Sequence, residues 1–304
     1  MSKRQAATLL LFLLPALILG PGACRPSNPP SPAPTGSPPA PEATFTSLPP
    51  LPTLTPIPAT PTASTCTDKS GEIVQAELEA RMLTWPLRLN IYLPPCYRQD
   101  TAVRYPALYL LHGQNASEGQ WLDLGVAETA DRLIASGAVV PFIIVMPYDK
   151  SFKQPTEDRF GEALTDILIP YVDAAYRTQA NRSGRALGGL SRGGAWAIHL
   201  GLTQPELFAS IGAHAPAIFV TDTNKIGRWL AALPSDLRLR VFLDIGDNDT
   251  GAAEALRLES QLAQFGVEHE WHFYLGAHIE AYWRAHVEEY LRWYAAAWRL
   301  EGEK

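Results

Sequence analysis

The sequence has few charged residues, few cysteines and only one long apolar run. That run lies at the N-terminus, which argues against a multi-span membrane protein. The three cysteines and seven histidines show no metal-ligand spacing, so neither a metal site nor a cofactor is expected. No internal repeat of roughly 20–50 residues occurs, which argues against a solenoid or a propeller.

After position 65 the chain carries 22 basic and 30 acidic side chains. A surface of that sign repels phosphate backbones, so no nucleic-acid partner is expected.

The N-terminus has the pattern of a secretory signal. Lys3 and Arg4 precede an uncharged, leucine-rich stretch that ends in small residues before Cys24. We predict a signal peptide over residues 1–24, and its end resembles a bacterial lipobox, in which Cys24 would be lipidated. The alternatives are ordinary cleavage near Ala23 and an uncleaved single-span anchor. All three place the rest of the chain outside the cytosol, with membrane contact only through the N-terminal lipid or anchor.

Residues 25–65 have the composition of a spacer. Fourteen of the 27 prolines fall here, and Arg25 and Glu42 are the only charged residues. Such a segment buries too little apolar surface to offset the entropy of ordering it. We therefore predict a disordered linker over 25–65, followed by one folded domain over 66–304.

Two cysteines remain after the predicted processing site. Cys66 precedes a strand-like run over residues 71–78, and Cys96 follows another over 87–93. If these runs pair as an antiparallel hairpin, the start of one lies beside the end of the other. We predict a disulfide between Cys66 and Cys96; the alternative, two free thiols, fits an oxidising compartment less well.

Strand-like and helix-like segments alternate through the rest of the domain. Further strands are predicted over residues 105–111, 142–146, 185–188, 208–212, 239–245 and 271–275. Helices are predicted over residues 127–136, 160–176, 192–203, 252–265 and 281–300, the last carrying an aromatic stripe that we interpret as core packing. The pattern predicts an α/β fold: a mostly parallel central sheet of about eight strands, helices on both faces and an N-terminal antiparallel hairpin. Such a sheet places its site at the carboxyl ends of the strands.

The most informative motif is RALGGLSRGG, over residues 185–194, which contains a G-x-S-x-G pattern around Ser191. It follows a strand-like run and opens a helix-like one, the context that this motif requires. Glycines two residues from the serine let a strained turn close, and the hydroxyl stands at the head of a helix whose dipole favours developing negative charge. The motif predicts Ser191 as a nucleophile; the alternative is an incidental serine in a glycine-rich turn.

A serine nucleophile needs a base and an orienting acid, which follow it in this type of fold in the order acid, then histidine. Asp244, Asp247 and Asp249 compete for the acid. Asp249 is favoured because the loop should reach the site there, with Asp247 second. His278 lies on a glycine-containing loop just past the last predicted strand and is the best base by position.

Two backbone N–H groups are needed to stabilise an oxyanion. Arg192 follows the nucleophile directly and should supply one of them. The other is predicted from Gln114, because Gly113 before it permits close approach of the backbone to the substrate. Five aromatic residues are candidates for the pocket lining, although each could equally be core or surface packing: Trp121, Tyr148, Phe152, Phe219 and Trp283.

The sequence contains the runs YPALYLLHG, EDRFGEALTDILIPYVDAAYR and RALGGLSRGGAWAIHLGLTQPELFASIGAHAPA. Through these runs, residues 76–298 resemble the esterase D-like family of α/β-hydrolases. The family includes feruloyl and acetylxylan esterases, enterochelin esterases, S-formylglutathione hydrolases and mycolyltransferases. The resemblance implies the α/β-hydrolase fold, a triad of Ser191, Asp249 and His278, and an oxyanion hole at the Gln114 and Arg192 amides. Arg192 stands where many members carry Met, and the histidine loop lacks the usual GGH. The resemblance implies that both differences lie beside the pocket and bear on acyl specificity.

The leading hypothesis is a secreted or surface-tethered serine carboxylic-ester hydrolase that forms an acyl-enzyme and needs no cofactor. Its substrate would be a small-molecule or polysaccharide-linked ester. Two alternatives remain. One is an acyltransferase of the mycolyltransferase type, and the other is a surface binding module on the same fold with an inactive site.

Overall fold

The computed structural model describes residues 66–299. The predicted signal peptide, the lipidation at Cys24 and the linker over 25–65 lie outside the described residues. The strands are β1 (Glu72–Leu78), β2 (Leu87–Leu93), β3 (Ala107–Leu111), β4 (Ile143–Pro147), β5 (Arg185–Leu190), β6 (Ser210–His214), β7 (Arg240–Gly246) and β8 (His269–Tyr274). The helices are α1 (Gln120–Asp123), α2 (Val126–Ala135), α3 (Phe160–Ala163), α4 (Ile169–Ala175), α5 (Arg192–Thr203), α6 (Ile226–Ala231), α7 (Ala252–Gln264) and α8 (Glu280–Ala295).

The eight strands form one sheet in the order β1-β2-β4-β3-β5-β6-β7-β8. β2 pairs antiparallel with both β1 and β4, and every other neighbouring pair is parallel. The predicted fold class is confirmed. Because β3 to β8 all run in one direction, their carboxyl ends meet along the same edge of the sheet, and the loops that follow them are brought together there.

Apolar strands explain why helices cover both faces of the sheet. Successive side chains of β3 alternate between the two faces: Leu108 and Leu110 belong to the core beneath α1, α2 and α8, and Tyr109 and Leu111 to the core beneath α3 to α7. All five residues of β3 are buried. No helix within residues 66–299 is both long enough and apolar enough to cross a membrane.

Helix α8 carries the aromatic stripe, and its packing is as predicted. Trp283, Tyr290, Trp293 and Tyr294 are all buried against the sheet. The helix ends at Ala295 rather than at the predicted residue 300. Beyond it the chain still packs on the core, since the ring of buried Trp298 lies 5.4 Å from that of Phe142.

Three local features of the helices differ from the sequence prediction. The helix predicted over 160–176 contains a π-helical turn, Leu164–Leu168, between α3 and α4. Helices α1 and α6 were not predicted. They have four and six residues, so neither is long enough to show a clear helical period.

The predicted disulfide is present. Cys66 and Cys96 are bonded, with their Cα atoms 5.7 Å apart, and the bond joins the segment before β1 to the turn after β2. It closes a loop spanning a sequence separation of 30 residues that contains the whole β1–β2 hairpin.

Replacing both cysteines, Cys66→Ala with Cys96→Ala, is expected to lower the free energy of unfolding by about 3–4 kcal/mol, because the unfolded chain regains the entropy of the open loop. Urea denaturation of the oxidised wild type and the double variant measures the difference. Wild type treated with reductant serves as the control and should unfold with the variant. Equal midpoints for oxidised wild type and variant would contradict this expectation.

Candidate active site

Ser191 occupies the turn between β5 and α5. Its backbone has φ 53° and ψ −115°, a conformation that residues other than glycine rarely adopt. The flanking glycines are required by close packing. A Cβ on Gly189 would lie 2.3 Å from the carbonyl carbon of Gly193, and one on Gly193 would lie 2.2 Å from the Leu111 oxygen. The G-x-S-x-G sequence therefore forms the tight strand-to-helix turn that it predicts.

The histidine and the carboxylate expected to act with Ser191 lie beside it. His278 Nε2 is 2.8 Å from Ser191 Oγ, and His278 Nδ1 is 2.6 Å from Asp249 Oδ2. Asp249 Oδ1 accepts a hydrogen bond of 2.8 Å from the Gly251 N–H. The Asp249 side chain is only 3% exposed, whereas that of His278 is 39% exposed. The carboxylate is thus held in one orientation behind the imidazole, and the imidazole itself is open to solvent.

Asp247, the second candidate for the acid, has a different set of partners. Its Oδ1 accepts hydrogen bonds from Gly276 N–H at 2.9 Å and from the Asn248 side chain at 3.0 Å. The Asp247 N–H donates to the Tyr274 carbonyl at 2.8 Å. These contacts tie the loop after β7 to the loop after β8, which carries His278, and they leave the Asp247 carboxylate facing backbone instead of an imidazole.

Asp244, the third candidate, is fully buried within β7 and belongs to a separate polar cluster. It accepts hydrogen bonds from His214 Nδ1 at 2.8 Å, from Tyr282 at 2.7 Å and from Tyr290 at 2.9 Å. Tyr294 lies 3.0 Å from the other nitrogen of His214. Burial, together with the charge of Asp244, raises the pKa of Tyr282 and Tyr290. These hydroxyls remain neutral donors, and Asp244 has no free oxygen to offer His278.

Three other histidines contact partners other than Ser191. His199 Nδ1 lies 2.7 Å from Asp222, His286 pairs with Glu289 in α8, and His269 Nδ1 lies 2.8 Å from the Val267 carbonyl.

Two backbone amides beside Ser191 are unused within the described residues. Neither Gln114 N–H nor Arg192 N–H donates a hydrogen bond to a protein acceptor between residues 66 and 299. A Cβ built on Gly113 would lie 3.5 Å from the Ser191 Cβ, so the Gly113–Gln114 peptide runs close to the serine. The Gly113 N–H itself is occupied, since it donates to the Gln120 side chain at 2.8 Å. Both predicted oxyanion donors are therefore free to bind a ligand oxygen.

The family resemblance implied that the Arg192 side chain lies beside the pocket, and this expectation is wrong, since the side chain is not part of the cavity lining. It is 4% exposed, and its Nε donates to the buried Asp149 carboxylate at 2.8 Å. Burial of a guanidinium requires such a carboxylate partner. Only the backbone of Arg192 faces the serine, and its side chain points into the protein.

A cavity of about 360 Å³ opens above the serine. Its lining consists of Gly113, Gln114, Gln120, Leu190, Ser191, His278, Ile279, Glu280 and Trp283. The ring of Trp283 meets that of His278 edge to face at a centroid distance of 4.9 Å, an arrangement that restrains the imidazole.

The other aromatic candidates for the lining are distributed differently. Trp121 and Phe219 are core residues, 1% and 5% exposed. Tyr148 packs its ring 5.4 Å from that of His112, behind the site. Phe152 is 60% exposed on the loop after β4. Of the five candidates, Trp283 is the one that lines this cavity.

The eight-stranded sheet and the serine turn at the head of α5 define an α/β-hydrolase. The family described as Putative esterase matches residues 80–294, more than half of the chain. The chain therefore belongs to this esterase family.

Curated relatives include ester hydrolases of several kinds. The endo-1,4-beta-xylanase/feruloyl esterase of Xylanibacter ruminicola is 39% identical over 147 residues, which cover 45% of this chain and 20% of that protein. An esterase of Mycobacterium tuberculosis is 30% identical over 156 residues, covering 48% of this chain and 32% of the relative. The iron(III) salmochelin esterase of Escherichia coli is 27% identical over 186 residues, which cover 54% of this chain and 45% of that protein. The chain spans less than half the length of each of these proteins.

Solved structures share the fold at low sequence identity. A ferulic acid esterase superposes with a TM-score of 0.68 at 23% identity, covering 75% of this chain and 99% of the other. The ferulic acid esterase of Anaeromyces mucronatus in complex with ferulic acid gives a TM-score of 0.64 at 20% identity, covering 75% and 92%. The S-formylglutathione hydrolase of Staphylococcus aureus gives 0.61 at 17% identity, covering 74% and 98%.

Proposed function

We propose that this protein is a serine carboxylic-ester hydrolase that works through Ser191, His278 and Asp249. The observation that carries the proposal is the continuous line of contacts from Asp249 through both nitrogens of His278 to the Ser191 hydroxyl, at 2.6 and 2.8 Å. These distances are within reach for proton transfer and for orienting the base. The family membership of the chain and the names of its relatives support the same reaction.

The chemistry would proceed in two halves. Ser191 Oγ attacks the ester carbonyl carbon while His278 Nε2 takes its proton, and the resulting oxyanion is stabilised by the Gln114 and Arg192 amides. His278 then protonates the departing alcohol, which leaves Ser191 acylated. In the second half, water gives a proton to His278 and attacks the acyl carbon, and the free acid departs as Ser191 recovers its proton.

The substrate class we propose is a small-molecule or polysaccharide-linked ester. The site is open enough for an ester carried on a larger alcohol, because the His278 side chain is 39% exposed. Apolar side chains line the cavity beside it: Ile279, which is 55% exposed, and Trp283. Such side chains favour an acyl or alcohol group with apolar surface.

We also propose that the enzyme works outside the cytosol, as the sequence pattern of residues 1–24 predicts. The Cys66–Cys96 disulfide supports this location, because such bonds persist in oxidising compartments.

The test is hydrolysis of a panel of acetyl, feruloyl and longer acyl esters by the purified protein, together with labelling by a fluorophosphonate probe. We expect turnover of at least one ester class and a single labelled site, located by peptide mass spectrometry on Ser191. Repeating the assay with added alcohols separates hydrolysis from acyl transfer by the ratio of free acid to new ester. A protein that neither hydrolyses any ester nor reacts with the probe would overturn the proposal and favour a binding module.

A further inference from the structure

His112 contacts the peptide group that carries one of the two proposed oxyanion donors. His112 Nδ1 lies 2.6 Å from the Gly113 carbonyl oxygen. That carbonyl belongs to the same planar peptide unit as the Gln114 N–H. Because the C=O and N–H of one peptide unit are fixed in a common plane, holding the Gly113 oxygen also sets the direction of the Gln114 N–H.

The other nitrogen of His112 determines the tautomer. Its Nε2 lies 2.9 Å from the Asp149 backbone nitrogen, which can only donate a hydrogen bond. Nε2 must therefore be unprotonated, and the single proton of the neutral ring resides on Nδ1, from which it is donated to the Gly113 carbonyl. The ring is buried, with 4% of His112 exposed.

Asp149 connects His112 to the second proposed donor. Its carboxylate Oδ2 accepts from Arg192 Nε at 2.8 Å and from Trp196 Nε1 at 2.8 Å. Oδ1 accepts from the Ser151 N–H at 2.9 Å. The Arg192 and Asp149 side chains are each 5% exposed, so water competes little for these bonds. One buried chain of hydrogen bonds thus runs from the Arg192 side chain, through Asp149 and His112, to the peptide of Gln114.

We infer that His112, with the Asp149–Arg192 ion pair behind it, is a positioning residue that aims the Gln114 N–H at the oxyanion and fixes its separation from the Arg192 N–H. The inference rests on the proposed function. Oxyanion stabilisation depends on donors that are oriented before the charge develops. The two donors lie on separate segments, one in the loop after β3 and the other at the start of α5. A cross-link between those segments supplies that orientation.

The network works only with neutral His112. Burial lowers the pKa of His112, against the opposing influence of the Gly113 carbonyl and of the Asp149 and Glu118 charges, while Arg192 lowers it further. The Tyr148 ring packs on the same imidazole and carries no charge at neutral pH. Below the pKa of His112 a proton on Nε2 would face the Asp149 N–H. In the unfolded state His112 has a pKa of about 6.5, so the unfolded chain binds this proton more readily than the folded protein. Acidification from about pH 6.5 down to the lower pKa of the folded state therefore also lowers stability.

Two substitutions separate the roles of the two ring nitrogens. His112→Asn retains an amide donor near the Nδ1 position, and His112→Gln places its amide near the Nε2 position instead. We expect His112→Gln to lower kcat by roughly 10- to 100-fold, less than the loss of a whole donor, with KM changed by less than about twofold. His112→Asn should retain kcat within about fivefold of wild type.

The affinity of a boronic acid that forms a tetrahedral adduct with Ser191 should fall with kcat/KM in His112→Gln, because both depend on the oxyanion site. The matched control is His269→Gln. Like His112, His269 contacts a backbone carbonyl through Nδ1, at 2.8 Å from the Val267 oxygen, but it lies in β8 and outside the hydrogen-bond chain described above. Its kcat and boronate affinity should equal those of wild type.

A second measurement does not depend on activity. Long-range ¹H–¹⁵N spectra of the full-length protein at neutral pH should show His112 protonated on Nδ1 and unprotonated on Nε2. An Nε2–H tautomer, or an active wild type whose His112→Gln variant retains full kcat, would overturn this inference alone. A wild type that neither hydrolyses any ester nor reacts with the fluorophosphonate probe would overturn the proposed function, and the tautomer would still test the hydrogen-bond network.

Discussion

Ser191→Ala is expected to lower kcat for ester hydrolysis by about 10⁶-fold, because it removes the oxygen that the proposed mechanism acylates. The rest of the site stays in place. The substituted residue keeps its Cβ, and the Asp249–His278 contact, 2.6 Å in the wild type, does not involve the serine hydroxyl. KM should therefore change little, and residual turnover above the rate in water should come from binding and the oxyanion donors. The measurement is hydrolysis of p-nitrophenyl acetate by protein purified free of contaminating esterases.

The combined variant Ser191→Ala with His278→Ala tests whether the two residues act as one unit. Residues that share a single reaction step are strongly non-additive, so the double variant should be about as slow as either single one. Ser260→Ala is the matched control. The Ser260 hydroxyl lies on the exposed surface of α7, where it donates to the Leu256 carbonyl at 2.9 Å, and the variant should retain full activity. Wild-type turnover in Ser191→Ala would remove this serine from the reaction.

Asp249→Asn is expected to lower kcat by about 10⁴-fold with little change in fold. An asparagine amide in this position can donate to His278 Nδ1, which forces the proton of the neutral ring onto Nε2. That nitrogen, 2.8 Å from Ser191 Oγ, could then no longer accept the proton of the serine. Because the substitution changes the tautomer of His278 and not the fit of a substrate, kcat should fall for every ester in the panel.

Asp247→Asn is the matched control for the acid. It removes a charge two residues away and weakens the bond to the Gly276 N–H, so a loss of kcat of no more than about tenfold is expected from a looser histidine loop. Measuring kcat and thermal stability for both variants distinguishes the acid of the triad from an aspartate that only holds the histidine loop. If Asp247→Asn proves the more damaging to kcat at unchanged stability, Asp247 is the acid and the proposed assignment of Asp249 is wrong.

The position of Ser191 could be predicted from the sequence because the signal is local. The motif lies between a strand and a helix that are adjacent in the sequence. The two glycines that flank the serine are needed there because a Cβ at either position would collide with nearby backbone atoms. The choice of acid was harder. Asp244, Asp247 and Asp249 fall within six residues, and what separates them is the path of the backbone after β7. Asp244 is buried against tyrosines of α8, Asp247 faces backbone and Asp249 faces His278.

The features that the sequence could not reveal depend on contacts between distant segments. His112 was visible as part of a strand-ending LHG, but its role depends on Asp149, 37 residues later. The His214–Asp244 cluster is completed by tyrosines up to 80 residues from the histidine. The family resemblance, with Arg192 at a position where many members carry Met, implied that this side chain lies beside the pocket. The direction of its side chain is set by the buried Asp149, which no motif identifies.

The first described strand enters the sheet at the end opposite to the reacting groups. β1 runs in the direction of β4, so its first residue and the end of β2 lie at the amino-terminal edge of the parallel strands. Cys66 and Cys96 are located there. Tension applied through the chain before Cys66 would pass directly through a covalent bond to Cys96 and bypass the hairpin between them. The edge strand cannot be peeled away from that side unless the bond is reduced, and a tether joined there would meet the domain at the edge of the sheet opposite to Ser191.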